Sequence, residues 1–205
     1  MTAARPLVLD AAERLLVLCL YGALVVRIVA SIRSEGAGLG NLLLLVSEGM
    51  VLVFVLVRRT TSDVSRSAAE WLLAIAATCL PMLVAPTRGH PLPPFVGAVV
   101  LVMGMIFQLH AKVILGRSFG CVPANRGLKA AGPYRFVRHP MYAGYLLSDV
   151  GFLLMNPSMR NLALYVGSLA LQIPRLLAEE RLLGRDEAYR RYQSAVRYRL
   201  VPGVF

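Results

Sequence analysis

The densest group of side chains able to do chemistry lies between residues 132 and 145, in the stretch GPYRFVRHPMYAGY. It holds two arginines, one histidine and three tyrosines between two apolar segments. Proline has no N–H and disfavours helix in the residue before it, so the sequence predicts that His139 immediately precedes a helix beginning at Pro140. A ring in that position can face a ligand at the helix N-terminus, where unpaired N–H groups favour an anion such as a carboxylate.

A second polar group, Arg175, Glu179 and Glu180, follows the last long apolar segment. Arg175 and Glu179 are four residues apart, so they share a helix face and could form an ion pair. Glu180 is rotated by roughly 100° from Glu179, and the two acids therefore cannot do the same job. One acid can neutralise Arg175 while the other faces a cationic ligand. For the residues after Arg181, the favoured interpretation is a simple solvated charged helix.

The elements that position these groups are predicted to be membrane helices. Of the 205 residues 57% are apolar and 16% are charged, mean hydropathy is +0.63, and the charges fall in clumps between apolar runs. We expect an all-α, polytopic bundle of about five spans in a single membrane domain, residues 1–205. Its predicted parts are transmembrane helices at 11–31, 41–57, 70–86 and 95–115, a cofactor-binding linker at 116–139, a helix hairpin at 140–178 and an amphipathic cytoplasmic tail at 179–205.

The net charge of +11 is interpreted as membrane topology and not as a nucleic-acid partner. With the N-terminus inside, 18 of the 22 lysines and arginines fall on one side. The positive-inside rule then predicts that both termini and the candidate site are cytoplasmic, with the lipid bilayer as partner. Cys19, Cys79 and Cys121 are far apart without CxxC spacing, so the sequence indicates neither a metal site nor a disulfide framework.

Other polar or small residues interrupt the apolar segments. Glu48 lies at membrane depth, where an acid either contacts a ligand or is a paired packing residue. Gly97 and Gly104 are seven residues apart, which suits close packing against another helix. His90 lies in a proline-rich loop and is predicted to be non-catalytic.

Several blocks of the sequence resemble those of a known family. The blocks GPYRFVRHPMY, RLLAEERLL, YRRY and RLVPGVF are similar to those of the isoprenylcysteine carboxyl methyltransferases, integral membrane enzymes with phospholipid N-methyltransferases as more distant relatives. The resemblance covers roughly residues 115–205. It implies that S-adenosylmethionine is the cofactor and that the acceptor is hydrophobic or prenylated.

The resemblance also implies roles for individual residues. Arg175 would hold the acceptor carboxylate, and Glu179 and Glu180 would complete the catalytic set. The implied cofactor-binding residues are Arg126, Gly127, Leu128, Lys129, Tyr134, Arg138, His139, Pro140, Met141, Tyr142 and Glu180. One departure concerns Arg126, which stands where the family often has histidine.

The implied reaction is an in-line displacement of a methyl group from a sulfonium. A carboxylate is already a nucleophile at neutral pH, so catalysis is mainly positioning and electrostatics. Three alternatives stay open at this stage. They are an NADPH-dependent sterol-type reductase, a phospholipid or small-molecule N- or S-methyltransferase, and a non-catalytic membrane scaffold.

Overall fold

The computed structural model describes residues 4–35, 39–85, 87 and 94–205. In this part of the chain the regular structure is helical, with one isolated antiparallel bridge between Val64 and Ala124 and no β-strand. The prediction of an all-α fold is therefore confirmed. The α-helices, in chain order, are α1 Ala4–Glu35, α2 Leu39–Val57, α3 Ala68–Cys79, α4 Pro94–Leu115, α5 Pro140–Met155, α6 Met159–Leu183 and α7 Glu187–Ala195.

Among the described residues, two segments are long and apolar enough to cross a membrane, namely Leu7–Ser34 in α1 and Phe95–Ser118, which begins in α4. Helix α2 and the segment Ala68–Leu83 are shorter apolar helices. The predicted segment 70–86 becomes helix α3 followed by a 3-10 turn, Leu80–Leu83, because Pro81 interrupts the α-helical bonding. Pro86 and the loop containing His90 lie outside the described residues.

Helices α4 and α5 pack against each other at very short range. Cβ atoms added to Gly97 and Gly104 would lie 3.0 Å from the Gly151 carbonyl oxygen and 2.5 Å from the Ser148 nitrogen, respectively. On the α5 side, a Cβ at Gly144 would lie 2.7 Å from the Gln108 Cβ. The predicted role of Gly97 and Gly104 is confirmed, and α5 supplies a second pair of glycines with the same seven-residue spacing. This contact fixes α5, whose first residues belong to the candidate site.

Helices α5 and α6 form an antiparallel hairpin. The connection is short, and the Ser158 hydroxyl caps α6 by accepting from the Asn161 N–H at 3.0 Å. The predicted hairpin ends at residue 178, but α6 continues through Pro174 and past that boundary to Leu183. Proline removes one backbone bond, yet the packing of Leu176 and neighbouring side chains keeps the helix intact. Arg175, Glu179 and Glu180 therefore lie on one continuous helix.

The glycine contact generates a stability prediction. A Cβ at Gly151 would approach the Leu101 Cα to 2.6 Å, whereas a Cβ at Gly22 of α1 would have no neighbour within 4 Å. We expect Gly151→Ala to lower the free energy of unfolding by about 1–3 kcal/mol through overpacking. Gly22→Ala is the matched control and should be neutral or slightly stabilising. The measurement is thermal unfolding in detergent, and an equal loss in both variants would refute the close-packing argument.

Candidate active site

The ends of α4, α5 and α6 enclose a cleft together with the linker and α7. The wall contains most of the residues predicted to bind the cofactor, and it also contains Glu179. The predicted residues in the wall are Arg126, Gly127, Leu128, Lys129, Tyr134, Arg138, His139, Met141 and Tyr142. Pro140 is buried behind the wall, and neither Arg175 nor Glu180 belongs to it. The structure thus brings together the linker, the end of α6 and the turn formed by Arg138, His139 and Pro140, the Arg-His-Pro turn.

The Arg-His-Pro turn has the predicted local structure. His139 is the residue before α5, with φ of −128° and ψ of 61°, and Pro140 is the first helical residue. This prediction is confirmed. The N–H groups of Arg138 and His139 donate to the carbonyl oxygens of Tyr198 and Arg199, each at 2.9 Å. The C-terminal segment, residues 196–205, therefore holds the turn in place through backbone hydrogen bonds.

Glu180 is buried and has three cationic or polar partners. Its carboxylate lies 3.1 Å from Nη1 of Arg138, 3.2 Å from Nε2 of His139 and 2.9 Å from Nε of Arg199. Burial alone would raise the pKa of Glu180. The hydrogen bonds from His139 and Arg199 and the charge of Arg138 outweigh burial and hold that pKa below its usual value. Glu180 therefore stays ionised at neutral pH and links the Arg-His-Pro turn to Arg199 of the C-terminal segment.

Glu179 has different surroundings. It lines the cleft, and the Tyr142 hydroxyl donates to its Oε2 at 3.4 Å. The expectation that the two acids have different jobs agrees with this geometry. The acid that is neutralised by the protein itself is Glu180, and the group it pairs with is the Arg-His-Pro turn and not Arg175.

Arg175 is buried and is held by the linker. Its Nε and Nη2 donate to the Cys121 carbonyl oxygen at 3.1 and 2.7 Å, and its guanidinium lies 5.4 Å from the centre of the Tyr142 ring. None of the ion pairs in the described part of the chain includes Arg175, so the possible pair with Glu179 does not form. The guanidinium instead satisfies a backbone carbonyl and stacks against an aromatic ring.

Helix α7 contributes aromatic side chains that the sequence did not predict. Tyr189 and Tyr192 line the cleft, and the Tyr192 hydroxyl donates to the Tyr134 carbonyl at 2.7 Å. Burial raises the pKa of Tyr192 to about 12 and that of Tyr134 well above its usual value, so both phenols stay neutral. The interpretation of this region as a purely solvated charged helix is wrong for these two tyrosines. Their three-residue spacing on a helix was the available signal.

A buried cluster of four charges, also absent from the sequence-based expectations, fixes the linker to the first two helices. The acids Asp10 and Glu13 of α1 meet Arg58, which follows α2, and Arg126 of the linker. Arg58 lies 3.2 Å from each acid, and Arg126 lies 2.9 Å from Asp10 and also contacts Glu13. The Arg126 guanidinium, predicted to bind the cofactor, is therefore largely engaged by α1.

Glu13 has an additional role in this cluster. Its Oε1 accepts from the backbone N–H groups of Cys121 and Val122 at 2.6 and 3.0 Å. The same Cys121 peptide unit accepts from Arg175 through its carbonyl. One carboxylate on α1 thus orients the peptide that positions the arginine of α6.

Glu48 is also paired. The Lys112 ammonium, which is fully buried, lies 3.0 Å from its carboxylate and 2.7 Å from the Ser47 hydroxyl. Glu48 does not line the cleft. Of the two alternatives that the sequence left open, the structure favours the packing residue.

The charge cluster generates a second prediction. Replacing Glu13 by Gln leaves Arg58 and Arg126 with a single acid, so we expect a loss of about 3–5 kcal/mol in the free energy of unfolding. Glu187→Gln is the control, because the Glu187–Arg191 pair is exposed and should contribute little. Chemical denaturation in detergent measures both variants. Similar small losses in the two would show that the cluster does not hold the linker.

Comparisons with known proteins agree with the resemblance seen in the sequence. Residues 92–190, which include most of the cleft wall, match the phospholipid methyltransferase family model. A segment of 68 residues is 35% identical to protein-S-isoprenylcysteine O-methyltransferase A of Arabidopsis thaliana, covering 30% of this chain and 34% of that protein. The match therefore spans about a third of the length of this curated relative.

A solved structure has a similar fold. It is that of a eukaryotic intramembrane Ras methyltransferase, isoprenylcysteine carboxyl methyltransferase, with a TM-score of 0.53 and 20% identity over 88% of this chain and 73% of that one. Together with the apolar helices, this fold supports an integral membrane protein. The resemblance predicted from the motifs is confirmed: residues 92–190 are similar to the phospholipid methyltransferases, and both the curated relative and the solved structure of similar fold are isoprenylcysteine methyltransferases.

Proposed function

We propose that this protein is an S-adenosylmethionine-dependent methyltransferase whose acceptor is a hydrophobic or lipid-embedded carboxylate, such as that of an isoprenylated cysteine. The observation that carries the proposal is the cleft in which the linker, the Arg-His-Pro turn and Glu179 meet. The names of the curated relative and of the structural neighbour support the same activity. The two termini and the cleft are proposed to be cytoplasmic, in keeping with the distribution of basic residues.

The residues of the cleft fit this cofactor chemically. When bound, S-adenosylmethionine supplies a methyl group activated by a sulfonium. Glu179 is suited to accept from its ammonium, Lys129 to bind its carboxylate, and the rings of Tyr134 and Tyr189 to contact its adenine or its sulfonium. Glu180 acts as a positioning residue, because its carboxylate is engaged by the turn and the tail.

The acceptor is proposed to bind beside Tyr142, between the cleft and Arg175. The bonds to the carbonyl oxygen and the thiol of Cys121 use the Nε–H and the Nη2 group of Arg175, which leaves the two N–H groups of Nη1 for an acceptor carboxylate. Since a carboxylate needs no deprotonation at neutral pH, the site requires positioning and charge complementarity but no strong base.

A second candidate, N-methylation of a phospholipid amine, is favoured by the description of the matching family model. The positive charge of Arg175 opposes this candidate, because it would repel an ammonium headgroup at short range. An acceptor screen that pairs a farnesylated cysteine analogue with phosphatidylethanolamine separates the two.

The division of work between the two acids is testable by calorimetric titration with S-adenosylhomocysteine. We expect Glu179→Gln to weaken binding by about tenfold through loss of a charge-assisted bond, with stability unchanged. Glu180→Gln should lower the unfolding temperature, because it leaves the buried Arg138 without its acid. Glu187→Gln, exposed on α7, is the matched control for both readouts.

The same titration tests the function itself. Binding of NADPH in place of S-adenosylhomocysteine would favour the reductase, and binding of neither would favour the scaffold. Loss of affinity in Glu180→Gln with full affinity in Glu179→Gln would reverse the proposed roles.

The role of Arg175 generates a separate prediction. Arg175→Lys keeps the charge but loses the planar fork that binds a carboxylate and the Cys121 carbonyl together. We expect kcat/KM for a farnesylated cysteine analogue to fall by about tenfold or more, with S-adenosylhomocysteine affinity within about twofold of the wild type. An equal loss of cofactor affinity would place Arg175 in the cofactor site.

A further inference from the structure

A small cavity lies between α5 and α6, separate from the cleft but bordered by the same tyrosine, Tyr142. Leucine and isoleucine side chains of the two helices form most of its wall, and Leu200 of the C-terminal segment contributes a further apolar side chain. Two polar side chains interrupt this apolar lining, Asp149 of α5 and Gln172 of α6. The cavity is thus an apolar chamber with one acid and one amide.

Both polar groups offer acceptor atoms without a partner. The Gln172 Oε1 is buried and has no hydrogen bond within the described part of the chain. In the same part of the chain, Asp149 has neither a hydrogen bond nor an ion pair, unlike the other acid at membrane depth, Glu48. Burying an unsatisfied acceptor such as the Gln172 Oε1 costs about 1–3 kcal/mol, whereas the Asp149 side chain is half-buried. Two such acceptors lining one chamber fit a ligand that donates a hydrogen bond.

The register of the hairpin relates this chamber to the cleft. Asp149 follows Tyr142 by seven residues on α5, and Gln172 precedes Glu179 by seven residues on α6. Because the helices are antiparallel and seven residues make two turns, both steps run in the same direction and return to the same face. Tyr142 and Glu179 contact each other at 3.4 Å, so Asp149 and Gln172 lie at one common level about 10 Å further along the hairpin.

We propose that Asp149 and Gln172 form a specificity site for the methyl acceptor, and that this acceptor carries a hydroxyl on its apolar chain about 10 Å from the atom that is methylated. The inference rests on the proposed function, since it names the class of lipid that the same site takes. The reactive end of the acceptor occupies the region beside Tyr142 and Arg175, and its chain runs between α5 and α6. The hydroxyl donates to the Asp149 carboxylate or to the Gln172 Oε1.

The competing explanation is a structural water, which could donate to both acceptors in a chamber of this kind. If a water occupies the cavity, the two side chains contribute only to the stability of the protein. A specificity site makes them discriminate between acceptors that differ only in the hydroxyl. Discrimination is therefore the quantity to measure.

The experiment uses the full chain in nanodiscs and three probes, each an N-acetylcysteine carrying a farnesyl-length thioether chain. One chain is plain, one carries a hydroxyl about 10 Å from the carboxylate, and one carries the hydroxyl at the far end as a control for solubility. Calorimetry gives the affinity of each probe with and without S-adenosylhomocysteine. The variants are the double substitution Asp149→Asn with Gln172→Leu and the control Gln108→Leu, a buried amide of α4 outside the chamber.

We expect the wild type to bind the 10 Å hydroxyl probe about fivefold more tightly than the other two. The double variant should lose this preference, and Gln108→Leu should keep it. Equal affinity for all three probes, binding of none, or a preference retained in the double variant would overturn the proposal. If the double variant does not fold, the wild-type ranking alone decides, because a structural water predicts no ranking. Failure to bind S-adenosylhomocysteine would count against the proposed function, while the probe ranking would still judge this inference.

Discussion

The site depends above all on one buried carboxylate, that of Glu180. It contacts Arg138 and His139 at the start of α5 and Arg199 in the C-terminal segment, so three distant parts of the chain meet at one side chain. A charge buried this far is tolerable only when its lone pairs are satisfied, and here they are. The order of the Arg-His-Pro turn follows from this arrangement. Glu180 alone makes the ionic contacts that join these parts of the chain. The neighbouring Glu179 therefore remains available to face the cleft.

A second ionic centre supports the part of the cleft wall that the linker forms. Asp10 and Glu13 hold Arg58 and Arg126, and Glu13 also fixes the peptide between Cys121 and Val122. The linker has little regular secondary structure, so few of its backbone groups are satisfied locally. Ion pairs and side-chain bonds replace a helix or sheet as the source of its order. The two centres together make a preorganised site from segments that are irregular by themselves.

Local features were predictable from the sequence, and long-range partners were not. Proline chemistry alone placed the start of α5 after His139, and the seven-residue spacing of Gly97 and Gly104 indicated their packing role. The continuation of α6 through Pro174 depends on tertiary packing that overrides the local preference against helix. The pairing of Glu13 with Arg126 joins residues 113 positions apart, and no periodicity in the sequence encodes that separation. The likeness of the motifs identified which residues gather, and helix geometry separated the two acids, but only the structure shows that Glu179 lines the cleft while Glu180 is paired within the protein.

The attachment of the linker to α1 has a consequence for how the protein can be divided. Similarity to the family begins at residue 92, after α1, α2 and α3. The acids that order the linker lie on α1, and Arg58 between them follows α2. The boundary of sequence similarity is therefore not the boundary of the folding unit. A transplant or chimaera cut at residue 92 would carry the motifs of the proposed site into a new host and leave behind the charges on α1 and after α2 that order the linker.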